Sequence, residues 1–262
     1  MVVEVSTRVD RQREISRLSI TVGQILLQHG AESRLVVGIS QRIGLALGAD
    51  SVEISLSASS VTLTTIIDDQ CMTTTRRSPD RGINMQMITE IQRICILTER
   101  KLLDIQDVHN QIEKLQPLRY NRWLVLLMIG LSCASFSRLA GGDWWVFFMT
   151  FLASCSGMFI RQEIASRHFN PLLNFACTAF VTTLVSSLGV IFSLGDEPFI
   201  AMASSVLMLV PGFPLINGVS DMVKGFSNMG IARIVMATLL TLATSLGIVG
   251  AMNITGVWGW IS

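Results

Sequence analysis

The second half of the sequence is dominated by apolar runs that are long enough to cross a lipid bilayer. A helical span needs about twenty mostly apolar residues to cross roughly 30 Å of hydrocarbon. Backbone inside hydrocarbon must satisfy its own hydrogen bonds, so these runs can fold only as packed membrane helices. Their spacing predicts five spans, at about residues 123–139, 144–160, 171–194, 199–216 and 231–252.

Charge is distributed unevenly along the chain, although the formal net charge is only +1. Of the 20 lysines and arginines, 15 precede Trp123, and so do 14 of the 19 acids. So small a net charge gives no global field for nucleic acid. The first apolar segment follows the polar stretch VDRQREISR, so no signal peptide is expected. We therefore predict a cytosolic domain at residues 1–120 and a membrane domain at residues 121–262.

The soluble part mixes helical and strand periodicity. Apolar residues recur at helical spacing over 11–29 and 32–47, and a glycine follows each run as a stop signal. The alternation over 52–58 and the runs VTLTTIID and CMTTT predict three strands. Helical spacing resumes at 88–95 and again after Asp104. The predicted fold class is an α-helical membrane protein with about five transmembrane helices and an N-terminal cytosolic α+β domain.

The soluble part carries no recognisable catalytic motif. It lacks GxxxxGK[ST], GxGxxG and GxSxG, and His29 and His109 lie far apart in the sequence. The five cysteines are widely spaced, without a CxxC pair or a histidine at metal-ligand spacing. We therefore predict no enzymatic activity, no catalytic residue, no cofactor and no metal site.

The fourth apolar run is broken near its end by two prolines and a glycine, and then closes on an amide and an acid. These residues are Pro211, Gly212, Pro214, Asn217 and Asp221. Because proline lacks an N–H group, the carbonyls of Leu207 and Val210 are expected to lose their helical partners. Interrupted helices of this kind form solute sites in many transporters. The alternative is that proline and glycine are simply commoner in membrane helices than in soluble ones.

Other polar side chains lie within or beside the spans, where ionisable groups are costly and often functional. Asn174 lies inside the third span, and Arg161 and Arg167 lie in the polar connection RQEIASRH. For an anionic substrate the two arginines are the nearest cations, and Asp221 is the predicted proton or cation partner at the cytosolic mouth. Alternatively, Arg161 and Asp221 both lie at the headgroup level, where the cost of a charge is small.

Arginines that flank the first span set the expected orientation. Arg119 and Arg122 immediately precede this span and mark the cytosolic side under the positive-inside rule. With the amino terminus inside, the outer connections hold Arg138 and three acids, whereas the cytosolic connections hold four cations. These four are Arg161, Arg167, Lys224 and Arg233. The carboxyl terminus is then predicted to be periplasmic.

Several segments together resemble the threonine/serine exporter family in the order and spacing of its amino-terminal half. They are GAES, TRRSPDRGINM, QPLRYNRW, MFIRQEIASRHFNP and LVPGFPLINGVSDMVKG, and PGFPLING is the most specific. The resemblance covers nearly the whole chain and implies a cytosolic domain followed by a five-helix membrane unit. For the shorter, two-subunit kind it also implies a bacterial inner-membrane location, a separate small membrane partner subunit (YjjB-like) and succinate export.

Two function hypotheses from different classes follow. The first is a membrane subunit of an exporter that moves a C4-dicarboxylate or a hydroxy amino acid from cytosol to periplasm, driven by an ion gradient or by downhill flux. The second is a membrane-anchored regulatory or scaffolding protein with a ligand-binding cytosolic domain. A membrane-embedded hydrolase is a weaker third, since His168 is the membrane part's histidine and no nucleophile matches its depth. The stoichiometry, including a homo-oligomer, stays open.

Overall fold

The computed structural model describes residues 2–118 and 120–258, with side chains described from residue 9. Arg119, which the sequence places on the cytosolic side, lies outside the described residues. The described chain is mostly helical and contains one small sheet. It therefore has the mixture of long helices and short strands that the two periodicities predict.

The chain divides into two compact units. Unit 1 comprises Met1–Leu118 together with Ile216–Ile234, and unit 2 comprises Arg119–Leu215 together with Val235–Ser262. The cytosolic location of the amino-terminal part and the domain boundaries predicted above stay predictions.

The amino-terminal part of unit 1 packs helices against a three-stranded sheet. Its elements are α1 (Val2–Gln28), α2 (Ser33–Ala46), β1 (Ser51–Ser57), β2 (Ser60–Ile67), β3 (Gln70–Arg77), α3 (Met85–Glu99) and α4 (Ile105–Lys114). The strands are antiparallel in the order β1-β2-β3. Asp68 and Asp69 form the β2–β3 turn with φ values of 48° and 60°, as a two-residue hairpin loop with two left-handed positions requires.

One face of the sheet is apolar and packs with the helices into the core of unit 1. Val61 and Leu63 of β2 are fully buried, whereas Thr62 and Thr64 between and beyond them are only half-buried. The threonines pair across to β3, since Thr64 Oγ1 lies 2.9 Å from Thr73 Oγ1. This alternation is the period of two with which the side chains of a strand point to opposite faces of a sheet.

The remaining helices of the described chain are long and apolar, with one break. They are α5 (Arg122–Leu139), α6 (Trp144–Ser166), α7 (Pro171–Ile191), α8 (Pro198–Ser205), a 3₁₀ helix (Leu207–Leu209), α9 (Gly212–Val223) and α10 (Ser227–Thr255). Four of them, α5, α6, α7 and α10, are long and apolar enough to cross a membrane. The segments Pro198–Leu209 and Gly212–Val223 form a fifth candidate, bent by 54°. The described chain thus agrees with the prediction of about five spans.

Side-chain caps fix where several of these helices begin. Asn170 Oδ1 accepts a hydrogen bond of 2.8 Å from the backbone N–H of Leu172, and Pro171 occupies the first helical position of α7. Asp143 caps α6 in the same manner through Val146 N–H, at 2.9 Å. Such caps satisfy N–H groups that have no partner inside the helix, so the polar connections RQEIASRHFN and AGGD also start the next spans.

Close approach of α7 and α10 within unit 2 depends on Gly247. A Cβ added there would overlap the carbonyl oxygen of Ala176 and stand 2.9 Å from Cβ of Ala179. Because backbone cannot yield as a side chain can, we expect Gly247→Ala to destabilise the protein by about 1–3 kcal/mol. The temperature at which the detergent-purified protein loses its monodisperse elution peak should fall.

A matched control lies one turn further along α10. At Gly250 an added Cβ would stand 3.6 Å from the Phe180 ring, which is an ordinary contact. Gly250→Ala should therefore leave the thermal stability unchanged. Equal stability of the Gly247→Ala and Gly250→Ala variants would contradict the close helix approach.

Candidate functional site

The break in the fourth apolar run keeps most of its carbonyls hydrogen-bonded. Leu207 C=O accepts from Val210 N–H at 3.2 Å, and Val210 C=O accepts from Gly212 N–H at 2.8 Å. Both carbonyls have lost their α-helical partners to the prolines, but tighter turns replace those bonds. The two carbonyls lose their helical partners as predicted, but they are not left as free acceptors. The Met208 carbonyl at the break accepts a hydrogen bond from a side chain, Arg161 Nη1, at 3.1 Å.

Arg161 extends from α6 toward this carbonyl and brings a positive charge to the break. Its guanidinium lies over the ring of Phe175, 4.8 Å from the ring centre. Among the described residues, no ion pair includes Arg161. A guanidinium has five N–H donors and binds carboxylates in a bidentate fork. With one donor on Met208, enough donors remain to hold a carboxylate.

Asn174 on α7 lies next to Arg161, so the structure brings two of the predicted pathway residues together. Its Nδ2 donates to the carbonyl of Arg161 at 3.2 Å, and its Oδ1 accepts from Thr178 Oγ1 at 3.2 Å. Asn174 begins a buried polar row with four-residue spacing, which places its members on one helix face. The members of this α7 row are Asn174, Thr178, Thr182 and Ser186. The sequence analysis singled out only the first of them.

Arg167, the other predicted cation, does not join this cluster. It follows α6 and its side chain is 67% exposed, with Nη2 at 3.0 Å from Glu163 Oε1. Glu163 also lies 3.8 Å from Arg122. The three side chains form an ion-pair cluster at the end of α6, and such exposed pairs are worth little energetically. Of the two predicted cations, only Arg161 carries an unpaired charge among the described residues.

Pro211 is buried and lines an apolar cavity of about 380 Å³ beside the break. The other walls of the cavity include Val210 and Leu215, with Thr241 and Ser245 facing them from α10. Thr241 and Ser245 donate to carbonyls of their own helix, Thr241 to that of Ala237 at 3.0 Å. The cavity therefore has an apolar lining. Gly212 and Pro214 continue the chain into α9 and are half-buried.

Asn217 and Asp221 belong to unit 1, where α9 contacts the segment Gly30–Ser33, which leads from the α1–α2 loop into the first residue of α2. Asn217 Nδ2 donates to the carbonyl of Gly30 at 3.0 Å. Asp221 is fully buried and accepts from Ser33 N–H at 3.0 Å and from Ser33 Oγ at 2.8 Å. The carboxylate thus caps the start of α2 from a position 188 residues further along the chain.

Two basic side chains complete this contact, which we call the Gly30–Ser33 clamp. Arg233 Nη1 lies 3.0 Å from Asp221 Oδ2, and Arg233 Nη2 donates to the carbonyl of Ala31 at 2.7 Å. Lys224 forms an ion pair with Glu32. Both carboxylate oxygens of Asp221 are therefore occupied within unit 1. Asn217 and Asp221 do not belong to the unit that contains Arg161 and Asn174.

The partners of Asp221 are not evident from the sequence. There Arg233 is one of four cytosolic cations, and Ser33 lies at the start of the helical spacing over 32–47. The available signal was the HGAES stretch, in which an acid and a serine follow the glycine. Nothing local in the sequence connects that stretch with a residue near the carboxyl end.

Comparisons with known proteins find similar sequences over nearly the whole chain. The family described as "Putative threonine/serine exporter" matches residues 17–255. The chain is 53% identical to "Probable succinate transporter subunit YjjP" of Escherichia coli K12 over 255 residues, which is 97% of this chain and 100% of that protein. The protein of the same description in Klebsiella aerogenes is 52% identical over 250 residues, 95% of this chain and 97% of that one.

A more distant relative is much longer than this chain. The "Probable threonine/serine exporter" of Mycobacterium tuberculosis is 24% identical over 247 residues, which is 90% of this chain but 45% of that protein. No solved structure matches the chain.

Proposed function

The chain belongs to the threonine/serine exporter family, and from this premise we propose that it is one membrane subunit of a two-component exporter. The exporter moves small carboxylate metabolites, either a succinate-like C4-dicarboxylate or threonine and serine, from cytosol to periplasm. The observation that carries this proposal is Arg161. It holds a positive charge without an acid partner among the described residues, on a carbonyl of the broken helix.

The need for a partner is supported by topology. A membrane unit of five spans has an odd number, so copies in one orientation cannot form an inverted repeat. A small partner subunit of opposite topology supplies the inverted unit in our proposal. In the Escherichia coli relative the word "subunit" likewise describes one part of a larger transporter.

The regulatory or scaffolding alternative is not favoured. It would require the soluble domain to retain function alone and the broken helix to tolerate apolar replacement. Arg161 instead places a charge among membrane helices, where charges are costly and usually serve transport. Membership of a transporter family also implies that the chain is not an enzyme.

The test is export of succinate and of threonine from preloaded cells that lack both subunits. The cells receive this chain alone, the small partner alone, or both. We expect export only when both are present. Absence of export in every combination, with both proteins detected in the membrane, would overturn the proposal and return attention to the regulatory alternative.

Cys71 gives a test of the proposed orientation, with the amino terminus in the cytosol. It is exposed on β3, whereas Cys95 is fully buried and desolvation raises the pKa of its thiol to about 11. Thiolates, not thiols, react with maleimides. In intact spheroplasts a membrane-impermeant maleimide should therefore not label Cys71, and in inside-out vesicles it should. The Cys71→Ser variant is the control for label on other cysteines, and labelling in spheroplasts would reverse the orientation.

A further inference from the structure

We propose that the site at Arg161 selects substrates with one negative charge and no ammonium group. Such substrates are monocarboxylates, or dicarboxylates in which one carboxyl group is protonated. This inference rests on the proposed export function and narrows the substrate class of the same site. It is argued from the few acidic and basic side chains of unit 2 and from the buried hydroxyl group of Thr182 on α7.

Acidic side chains in the sequence of unit 2 are few, and all lie near helix ends. Asp143 caps α6, Glu163 belongs to the ion-pair cluster with Arg122 and Arg167, and the exposed pair Asp196 and Glu197 precedes α8. None of these acids pairs with Arg161 in the described structure. An ammonium group that entered beside Arg161 would meet a cation without a compensating acid. Amino acid zwitterions are therefore disfavoured at this site.

Cations available to a second carboxylate are equally few. The helices α5 and α7 pack against α6. Their titratable groups are Arg122, Cys133 and Arg138 on α5 and Cys177 on α7. Besides Arg161, α6 itself carries Cys155 and Glu163. The described α8 has none, and Arg167 and His168 lie at the α6–α7 turn. Arg122 and Arg167 are paired with Glu163, and Arg138 donates to the carbonyl of Gly142. Arg161 is thus the cation available to a substrate among these described side chains.

Thr182, the third member of the α7 row, has a hydroxyl group without a hydrogen-bond partner among the described residues. Its Oγ1 is fully buried. Thr150 on α6, in contrast, donates to the carbonyl four residues back at 2.7 Å, which is the usual arrangement for a buried helical threonine. Thr182 Oγ1 points at Gly157, one turn before Arg161 on α6, where an added Cβ would overlap it. The Met208 methyl group also lies at this position, and a ligand that displaced it would supply the missing hydrogen bond of the Thr182 hydroxyl.

The chemistry of the row favours a neutral second group. A threonine hydroxyl both donates and accepts, so it can satisfy a protonated carboxyl, an amide or a hydroxyl group. A second carboxylate at the same place would be desolvated without an opposite charge, which is costly. The first carboxylate of a dicarboxylate raises the pKa of the second. The singly charged form is therefore populated at mildly acidic pH, and the proton travels with the substrate.

Succinamate tests this inference, because its amide replaces one carboxyl group and it keeps one negative charge at every pH used. The assay is uptake of labelled succinate into inside-out vesicles that contain both subunits, from neutral to mildly acidic pH. We expect succinate uptake to rise with the concentration of its monoanion. Succinamate should compete with an inhibition constant that does not change with pH, and threonine should compete about tenfold more weakly or not at all.

The outcomes separate this inference from the proposed function. If succinamate competition changes with pH as succinate uptake does, a protein group titrates and the inference is overturned. It is also overturned if uptake follows the succinate dianion, or if threonine competes as well as succinamate. In either case loss of uptake in Arg161→Gln would leave the proposed export function standing. No uptake of any substrate with both subunits present would remove the proposed function and the inference together.

Thr182→Val supplies a second, independent readout. Valine has nearly the same shape, so folding should be retained while the hydroxyl is lost. Succinamate should then lose its advantage over butyrate, which has no second polar group, by about tenfold. Ser156→Ala, at a half-buried position on α6 where the hydroxyl donates to the carbonyl of Leu152, is the control. An unchanged ratio of the two inhibition constants in Thr182→Val would overturn the role of the α7 row.

Discussion

Replacing Asp221 by alanine is expected to lower the free energy of unfolding by about 3–5 kcal/mol. The carboxylate is fully buried and the Arg233 side chain is 14% exposed, so the substitution leaves a desolvated guanidinium without its counter-charge. Ser33 also loses the acceptor for its N–H and its hydroxyl. Heating of the detergent-purified variant, followed by size exclusion, should show a large fall in the midpoint of aggregation.

Two further variants identify the cause. Lys224→Ala removes the other ion pair of the Gly30–Ser33 clamp, between Lys224 and Glu32. The side chains of Lys224 and Glu32 are 34% and 26% exposed. The cost of this substitution should stay within about 1 kcal/mol, as for surface pairs. The double variant Asp221→Ala with Arg233→Met should recover much of the loss, because no buried charge is left unpaired. A double variant as unstable as Asp221→Ala would mean that the Ser33 hydrogen bonds dominate.

This expectation changes how transport variants of Asp221 are interpreted. The sequence favours Asp221 as a proton or cation partner, and Asp221→Asn is the natural test of that role. In the structure the same change weakens a buried ion pair, so lost export can follow from lost stability. Export by Asp221→Asn is therefore informative only if the melting temperature of this variant is unchanged. The role of Asp221 in the pathway stays a prediction.

Local signals sufficed for most of the fold. The β-branched run VTLTTIID located β2, and the cap formed by Asn170 with Pro171 located the start of α7. Asp104 opens α4 as predicted, and the structure adds a reciprocal hydrogen bond with Asp107. Each of these features depends on residues within four positions of one another. The chemistry that decides them is therefore contained in a short stretch of sequence.

The candidate sites depend on contacts that short stretches do not contain. Asp221 and Ser33 are separated by 188 residues, and Arg161 and Met208 by 47. Sequence reasoning identified which charges are costly but could not pair them. It therefore grouped Asp221 with Arg161, whereas the structure gives Asp221 its own arginine. The buried row on α7 was missed for a related reason, since threonine and serine are also ordinary packing residues in membrane helices.

Substitution of Arg161 should lower transport while leaving stability nearly unchanged. In Arg161→Gln we expect export of succinate to fall about ten- to hundredfold, the value of a charge-assisted bond to a carboxylate. Stability should change by no more than about 1 kcal/mol, because loss of the hydrogen bond to the Met208 carbonyl is offset by removal of a charge that has no acid partner among the described residues. Arg161→Lys keeps the charge but not the planar fork, so it should restore export only in part.

Arg167→Gln provides the decisive comparison, since the sequence predicts both arginines as pathway cations. In the unchanged protein the Arg167 guanidinium is exposed and paired with Glu163. Export by the variant should therefore stay within about twofold of that protein. Initial export rates, normalised to the amount of each variant in the membrane, measure both effects. Equal loss of export in the two variants would place the carboxylate near the end of α6 and not at the helix break. A stable Arg161→Gln variant with full export would remove the proposed site altogether.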